Sequence, residues 1–180
     1  PIILFGALSG NTDKRKGWDL LHKSLKILEQ QEFKFQIVIL GQSEERFDLA
    51  LKSKITYIQR LSDDYSLAML YSASDLVVVP SRMENLPQMA TEAQACGVPV
   101  AGFNCTGLPD TVEHKKTGYL AKAYDTKDLA NGIYWVLNNV ERKSSLGLEA
   151  RKRAVELWSE DKIVKRYASL FSKLKNKKFI

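Results

Sequence analysis

Two groups of charged residues in this sequence have the types and spacing to do chemistry. Lys14, Arg15 and Lys16 precede Gly17 and a segment of helical period. Cations at a helix N-terminus oppose the helix dipole, at a cost of roughly 0.3–1 kcal/mol unless an anion answers them. The free amides of the first turn favour that same anion. The loop therefore reads as a phosphate site or as a solvated basic turn, and the opposed dipole favours the first. Glu84 and Glu92 are the second group: Glu84 follows a short apolar run, and Glu92 falls about a turn and a half into the next helix. A carboxylate accepts two charge-assisted hydrogen bonds at once, which suits the hydroxyls of a sugar. Glutamate near a helix start also stabilises the helix without any ligand, so spacing alone leaves both readings open.

These residues need elements to position them, and the hydrophobic pattern supplies a regular series. Short apolar runs at 2–8, 35–40, 55–58, 76–79, 98–103 and 118–120 read as strands. Between them lie helical segments at 17–30, where Trp18, Leu21, Leu25 and Leu28 share a face, then 44–51 and 62–73, with Ser62 as the expected cap. Pro87 opens another helix that stops at Gly97, Pro109 suits an early position in a short one, and helices follow at 126–140, 143–157 and 161–175. This alternation predicts right-handed crossovers and an α/β fold: a Rossmann-like, doubly wound parallel sheet of about six strands with helices on both faces. The runs at 38–40 and 76–79 are apolar without alternation, as strands buried on both faces should be. Ligands of such sheets bind beyond the carboxyl ends of the strands, which is where Lys16 and Glu84 fall.

Composition narrows the class further. The chain has 180 residues, 44% hydrophobic and 27% charged, which suits one soluble globular domain spanning 1–180, with a C-terminal helical part from about 143. No apolar run reaches the ~18–20 residues of a membrane-spanning helix. No basic, cleavable leader precedes the first run, and a start at Pro1 inside a strand pattern reads as a cut from something longer. A net charge of +6 favours anionic partners. Lys173, Lys175, Lys177 and Lys178 form a basic tail that could touch an anionic membrane surface. Aromatics are not interleaved with these cations, which argues against nucleic acid. His22 and His114 are expected on the surface or in structural roles, and two histidines give no metal cluster. Cys96 and Cys105 form no Cys-x-x-Cys pair, which suits a reduced, cytoplasmic setting. No Gly-x-Gly-x-x-Gly follows the first run, and no Gly-x-x-x-x-Gly-Lys-Ser/Thr occurs, so dinucleotide and P-loop chemistry are excluded.

The string Pro80-Ser81-Arg82-Met83-Glu84-Asn85-Leu86-Pro87, followed by Glu92-Ala93 and Ala95-Cys96-Gly97-Val98-Pro99-Val100, resembles retaining glycosyltransferases of the glycosyltransferase family 4 (group 1) kind. Lys16-Gly17, Leu40-Gly41, Tyr71-x-x-x-Asp75, Gly107-Leu108-Pro109-Asp110, Thr117-Gly118-Tyr119-Leu120 and Trp158-Ser159 agree in order, so the resemblance covers nearly the whole chain. It implies the C-terminal, donor-binding half of a GT-B enzyme, with the acceptor-binding N-terminal domain absent from these residues. It implies a UDP- or GDP-sugar donor, no cofactor and no metal. Lys16, with Arg15 nearby, would meet the diphosphate. Glu84 would hold the hydroxyls of the transferred sugar and act at the reacting centre. Glu92 would hold the ribose, backbone groups of Asn85 and Leu86 would approach sugar or phosphate, and those near Tyr57 and Ile58 the base. Two positions depart from the family pattern: Ala7 stands where an arginine is common, a loss that Lys14 or Arg15 could offset, and Pro87 removes an amide donor. A GT-B half kept for partner binding, its donor site eroded, is the alternative.

Overall fold

The computed structural model describes residues 1–6, 13–41 and 51–176. Six strands alternate with helices: β1 (Ile2–Gly6), α1 (Trp18–Gln30), β2 (Gln36–Leu40), β3 (Lys54–Ile58), α2 (Asp64–Ser72), β4 (Leu76–Val79), α3 (Gln88–Ala95), β5 (Val100–Phe103), α4 (Leu108–Thr111) and β6 (Gly118–Ala121). Three more helices complete the chain: α5 (Thr126–Leu137), α6 (Val140–Trp158) and α7 (Glu160–Asn176). The sheet order is β3-β2-β1-β4-β5-β6, and every pairing is parallel. This is the doubly wound arrangement expected from the pattern. Its strand order reverses between β1 and β4, so the crevice beyond their carboxyl ends is where a ligand belongs.

The period of two in each strand divides the core into two layers. Ile3, Phe5, Ile37, Ile39, Leu76, Val78, Ala101 and Phe103 face α1 and α5, packing on Leu21, Leu25, Leu129 and Ile133. Leu4, Val77, Val79 and Val100 face the other way, against Tyr71 of α2 and Ala90 and Ala93 of α3. The central strand β4 is buried at all four positions, the reason its sequence shows no alternation. Edge strand β3 is different: Lys54 and Thr56 are exposed between half-buried neighbours.

Local chemistry moves several boundaries. Asp63, not Ser62, caps α2: its backbone is extended and its carboxylate accepts the Ser66 amide at 2.8 Å. Pro87 stands one residue before α3 as its N-cap, rather than inside the first turn. α5 ends at Leu137, and Asn139 caps α6 by accepting the Arg142 amide. His22, expected at the surface, is half-buried and stacks on Trp18, with burial holding its pKa below the ordinary value. His114 is exposed and accepts the Leu120 amide at 3.1 Å. Cys96 and Cys105 are unpaired thiols. The expected helix over 44–51 falls mostly outside the described residues, as do Ala7, Lys177 and Lys178. Among the described residues, no helix is long and apolar enough to cross a membrane.

Candidate functional site

The site begins with a turn that only glycine can close. Asp13 caps a single 3-10 turn over Lys14–Lys16, accepting the Arg15 amide at 2.9 Å, and Gly17 ends it with φ of 72°. That left-handed conformation is open to glycine without strain. A Cβ at position 17 would also overlap the Pro80 carbonyl, so the loop after β1 lies directly on the loop after β4. Arg82 fastens the two. Its amide donates to the Arg15 carbonyl, its guanidinium donates to the Lys14 carbonyl, and both terminal nitrogens bind Asp19 at 2.7–2.8 Å. Hydrogen bonding from Arg82 holds the Asp19 carboxyl below its ordinary value. Such a bidentate pair also fixes orientation.

The result is that Lys16 Nζ lies 2.8 Å from Glu84 Oε1, and Arg15 Nη1 lies 3.9 Å from Oε2. A third loop supports Glu84: Thr106 Oγ1 accepts its amide, and the Gly107 amide donates to its carbonyl. A Cβ at residue 107 would collide with the Asn85 carbonyl, which explains the glycine. Asn85 and Leu86 are exposed beside Arg15 and Thr106, in a shallow second hollow.

On the far side, α3 presents its N-terminus to the crevice. The Pro87 carbonyl accepts the amides of Ala90 and Thr91, and Pro87 itself has none to give. The amides of Gln88 and Met89 are therefore the ones this end offers to a ligand. Glu92 lines the same crevice from the second turn, and its Oε2 accepts the Tyr71 hydroxyl at 2.7 Å.

Lys16, Arg15 and Glu92 thus line one cleft of about 530 Å³ at the switch point, with Gly6 and Met89 also on its wall and Glu84 at its border through the Lys16 pair. The two glutamates and the basic turn, far apart in sequence, are brought together. Ile58 is not: it closes β3, its carbonyl accepts the Gly41 amide at 2.8 Å, and the cleft is lined instead by Arg60 and Leu61 just beyond it. Sequence reasoning also passed over Tyr71, Thr106 and Arg82 as parts of the site. The Tyr71-x-x-x-Asp75 spacing was visible, but nothing in it signals a hydroxyl aimed at Glu92. Among the described residues there is no group of three or more His, Cys, Asp or Glu able to hold a metal ion. Chemically, the cleft offers cations and amides for an anion at its centre, and carboxylates for hydroxyls to either side.

Known proteins resemble this chain in sequence and in fold. Residues 4–153 match the family model described as glycosyl transferases group 1. An uncharacterized glycosyltransferase of Haemophilus influenzae is 29% identical over 160 residues, covering 84% of this chain and 43% of that protein. The chain therefore spans less than half the length of this relative. HepE of Anabaena, solved in complex with UDP-glucose, has the same fold at a TM-score of 0.79 and 19% identity, covering 96% of this chain and 48% of that one. The C-terminal domain of LpcC, a glycosyl transferase group 1 protein of Francisella tularensis, matches at a TM-score of 0.72 and 18% identity, over 88% of this chain and 86% of that one. The last match is close to domain for domain. The family match, over most of the chain, places it in the glycosyl transferases group 1 family, and the sheet order and structural matches give it the Rossmann-like fold of the C-terminal half of a GT-B protein.

Proposed function

We propose that the chain binds the nucleoside diphosphate sugar donor of a retaining glycosyltransferase, and that an N-terminal domain outside these residues supplies the acceptor. The observation that carries this reading is the placement of two carboxylates, Glu84 and Glu92, around Lys16 at the sheet's switch point. A donor sugar nucleotide has this charge pattern: an anionic diphosphate between two polyhydroxylated rings.

In this reading, Lys16 and Arg15 meet the diphosphate together with the Gln88 and Met89 amides at the α3 N-terminus. Glu92 accepts from the ribose. Glu84 accepts from the transferred sugar, with backbone groups of Asn85 and Leu86 beside it, and the base lies toward Ile58, Arg60 and Leu61. During transfer the bond between the sugar's anomeric carbon and the diphosphate oxygen breaks. The acceptor oxygen bonds to that carbon on the same face, and its proton passes to the departing phosphate oxygen. Lys16 stabilises the charge that develops there. The cations come from the chain, so binding is expected without an added divalent metal. Sugar chains of polysaccharides or glycolipids are the proposed products, made at the cytoplasmic side of a membrane. Lys173 and Lys175 of α7 are exposed and free to face an anionic lipid surface.

Calorimetric titration with UDP, GDP and ADP in EDTA tests this. One diphosphate should bind, and Glu92→Ala should weaken it. UDP comes first, because HepE was solved with UDP-glucose. No binding by any of the three, with the fold intact by circular dichroism, would favour a partner-binding module instead.

A further inference from the structure

Of the two carboxylate oxygens of Glu92, one already accepts a hydrogen bond from the protein. Oε2 accepts the hydroxyl of Tyr71 at 2.7 Å, across 21 residues of sequence. Tyr71 is 2% exposed and belongs to the core layer that holds Val77, Ala93 and Val98. Its ring is therefore fixed by packing, while the Glu92 side chain reaches the half-exposed wall of the cleft through three rotatable bonds. Burial, and then the neighbouring carboxylate, push the phenol far above its ordinary pKa. The hydroxyl therefore holds its proton at neutral pH, so the tyrosine donates and the carboxylate accepts. A buried hydroxyl that loses its partner is strongly unfavourable, which gives the contact a restoring force from the core side. Among the described residues, no hydrogen-bond donor is directed at Oε1.

We infer that Tyr71 is a positioning residue that pins Oε2 of Glu92 and so leaves Oε1 to receive the ribose hydroxyls of the donor. This rests on the nucleoside diphosphate reading above. It adds that ribose recognition is preorganised from the hydrophobic core: the rotamer freedom of Glu92 is removed before the ligand arrives. The carboxylate of a freely rotating glutamate would have to be ordered at the moment of binding.

The test compares the diphosphate that binds with its 2′,3′-dideoxy analogue, using the 180-residue chain and the variants Tyr71→Phe, Glu92→Ala, the double variant and Glu92→Asp. The unsubstituted chain should prefer the ribose form. Tyr71→Phe should weaken the ribose form about three- to tenfold, the size of one net hydrogen bond, and leave the dideoxy form unchanged. In the Glu92→Ala background the same change should have no further effect on affinity. A uniform loss for both ligands, or an equal loss with and without Glu92, would overturn the assignment and leave Tyr71 a packing residue. Should Tyr71→Phe fail to fold, Glu92→Asp decides: it keeps the charge but withdraws it from Tyr71, and it should lose the ribose preference as Glu92→Ala does. A preference equal to that of the unsubstituted chain would overturn the proposal. Absence of any diphosphate binding by the unsubstituted chain is a different result, which removes the donor reading and this inference with it.

Discussion

Two lysine–carboxylate pairs stand at opposite ends of strand β4, and they are built differently. At the amino end, Asp75 gives both oxygens to the protein: Oδ1 pairs with Lys143 of α6, and Oδ2 accepts the Ile2 amide at 2.7 Å. The Asp75 amide returns a bond to the Ile2 carbonyl, which ties β4 to β1 and both to α6. At the carboxyl end, Glu84 pairs with Lys16 at 2.8 Å, but among the described residues its second oxygen has only Arg15, at 3.9 Å. The Glu84 side chain is 13% exposed and that of Asp75 is 25% exposed. The more buried carboxylate is thus the less satisfied one. A carboxylate that serves only the fold is expected to fill its bonding capacity with protein donors. Unused capacity in a sheltered place, at a switch point, is what a ligand site leaves behind.

Substitutions can break this contrast in order of expected effect. Asp75→Ala should cost about 2 kcal/mol of stability, because the Ile2 amide and Lys143 both lose their acceptor, and should leave diphosphate affinity unchanged; urea unfolding and calorimetry read the two quantities. Lys16→Ala should do the reverse, weakening the diphosphate about tenfold, or about 1.4 kcal/mol, with little change in the unfolding midpoint. Equal effects of the two substitutions on stability would dissolve the distinction between the ends.

Acid sharpens it further. Burial works to raise the Asp75 pKa, but hydrogen bonds from Lys143 and the Ile2 amide outweigh it, and the net value lies below the ordinary 3.8. A depressed folded-state pKa gives stability that is complete above the unfolded value and is lost as pH falls through the folded one. The stability gap between the unsubstituted chain and Asp75→Ala should therefore hold from neutral pH to about 4 and close below it, in unfolding curves taken across that range. The smallest effect is that of salt. Raising ionic strength from 0.05 to 0.5 M should weaken diphosphate binding severalfold, while the cost of Asp75→Ala changes little, since open charges are screened more than sheltered ones.

The strands and the crossovers were legible because each depends on local pattern, whereas the two glutamates stood out only through the family string that contains them. Leu76–Val79 shows its burial in its composition, and the sheet edge and the next helix put Glu92 on the wall of the cleft and Glu84 at its border. What stayed hidden depends on contacts made far along the chain. The Lys143–Asp75 pair joins positions 68 apart, and nothing near either residue marks the other. The Tyr71–Glu92 bond needs α2 and α3 to lie side by side, which neither helix states alone. His22 was missed for a different reason: it was expected at the surface of a helix, but it stacks on Trp18 one turn earlier in α1 and is half-buried there. Ser62 lost to Asp63 because two neighbouring residues could each cap α2, and the backbone that enters the helix decides between them.

Three glycines around the cleft differ in how freely their positions could drift over evolution. At Gly17 and Gly107 an added methyl would run into a backbone carbonyl, so any replacement must pry two loops apart. At Gly6 the nearest described atoms to the same methyl are at the far end of Met89, 2.9–3.0 Å from its sulfur and terminal carbon, and that flexible side chain can swing away. Position 6 therefore acts as an adjustable floor: a single small residue there would displace Met89, which lines the cleft, with both loops left in place. On the donor reading proposed above, one methyl group at position 6 would reshape the cleft from beneath, without touching a charged residue.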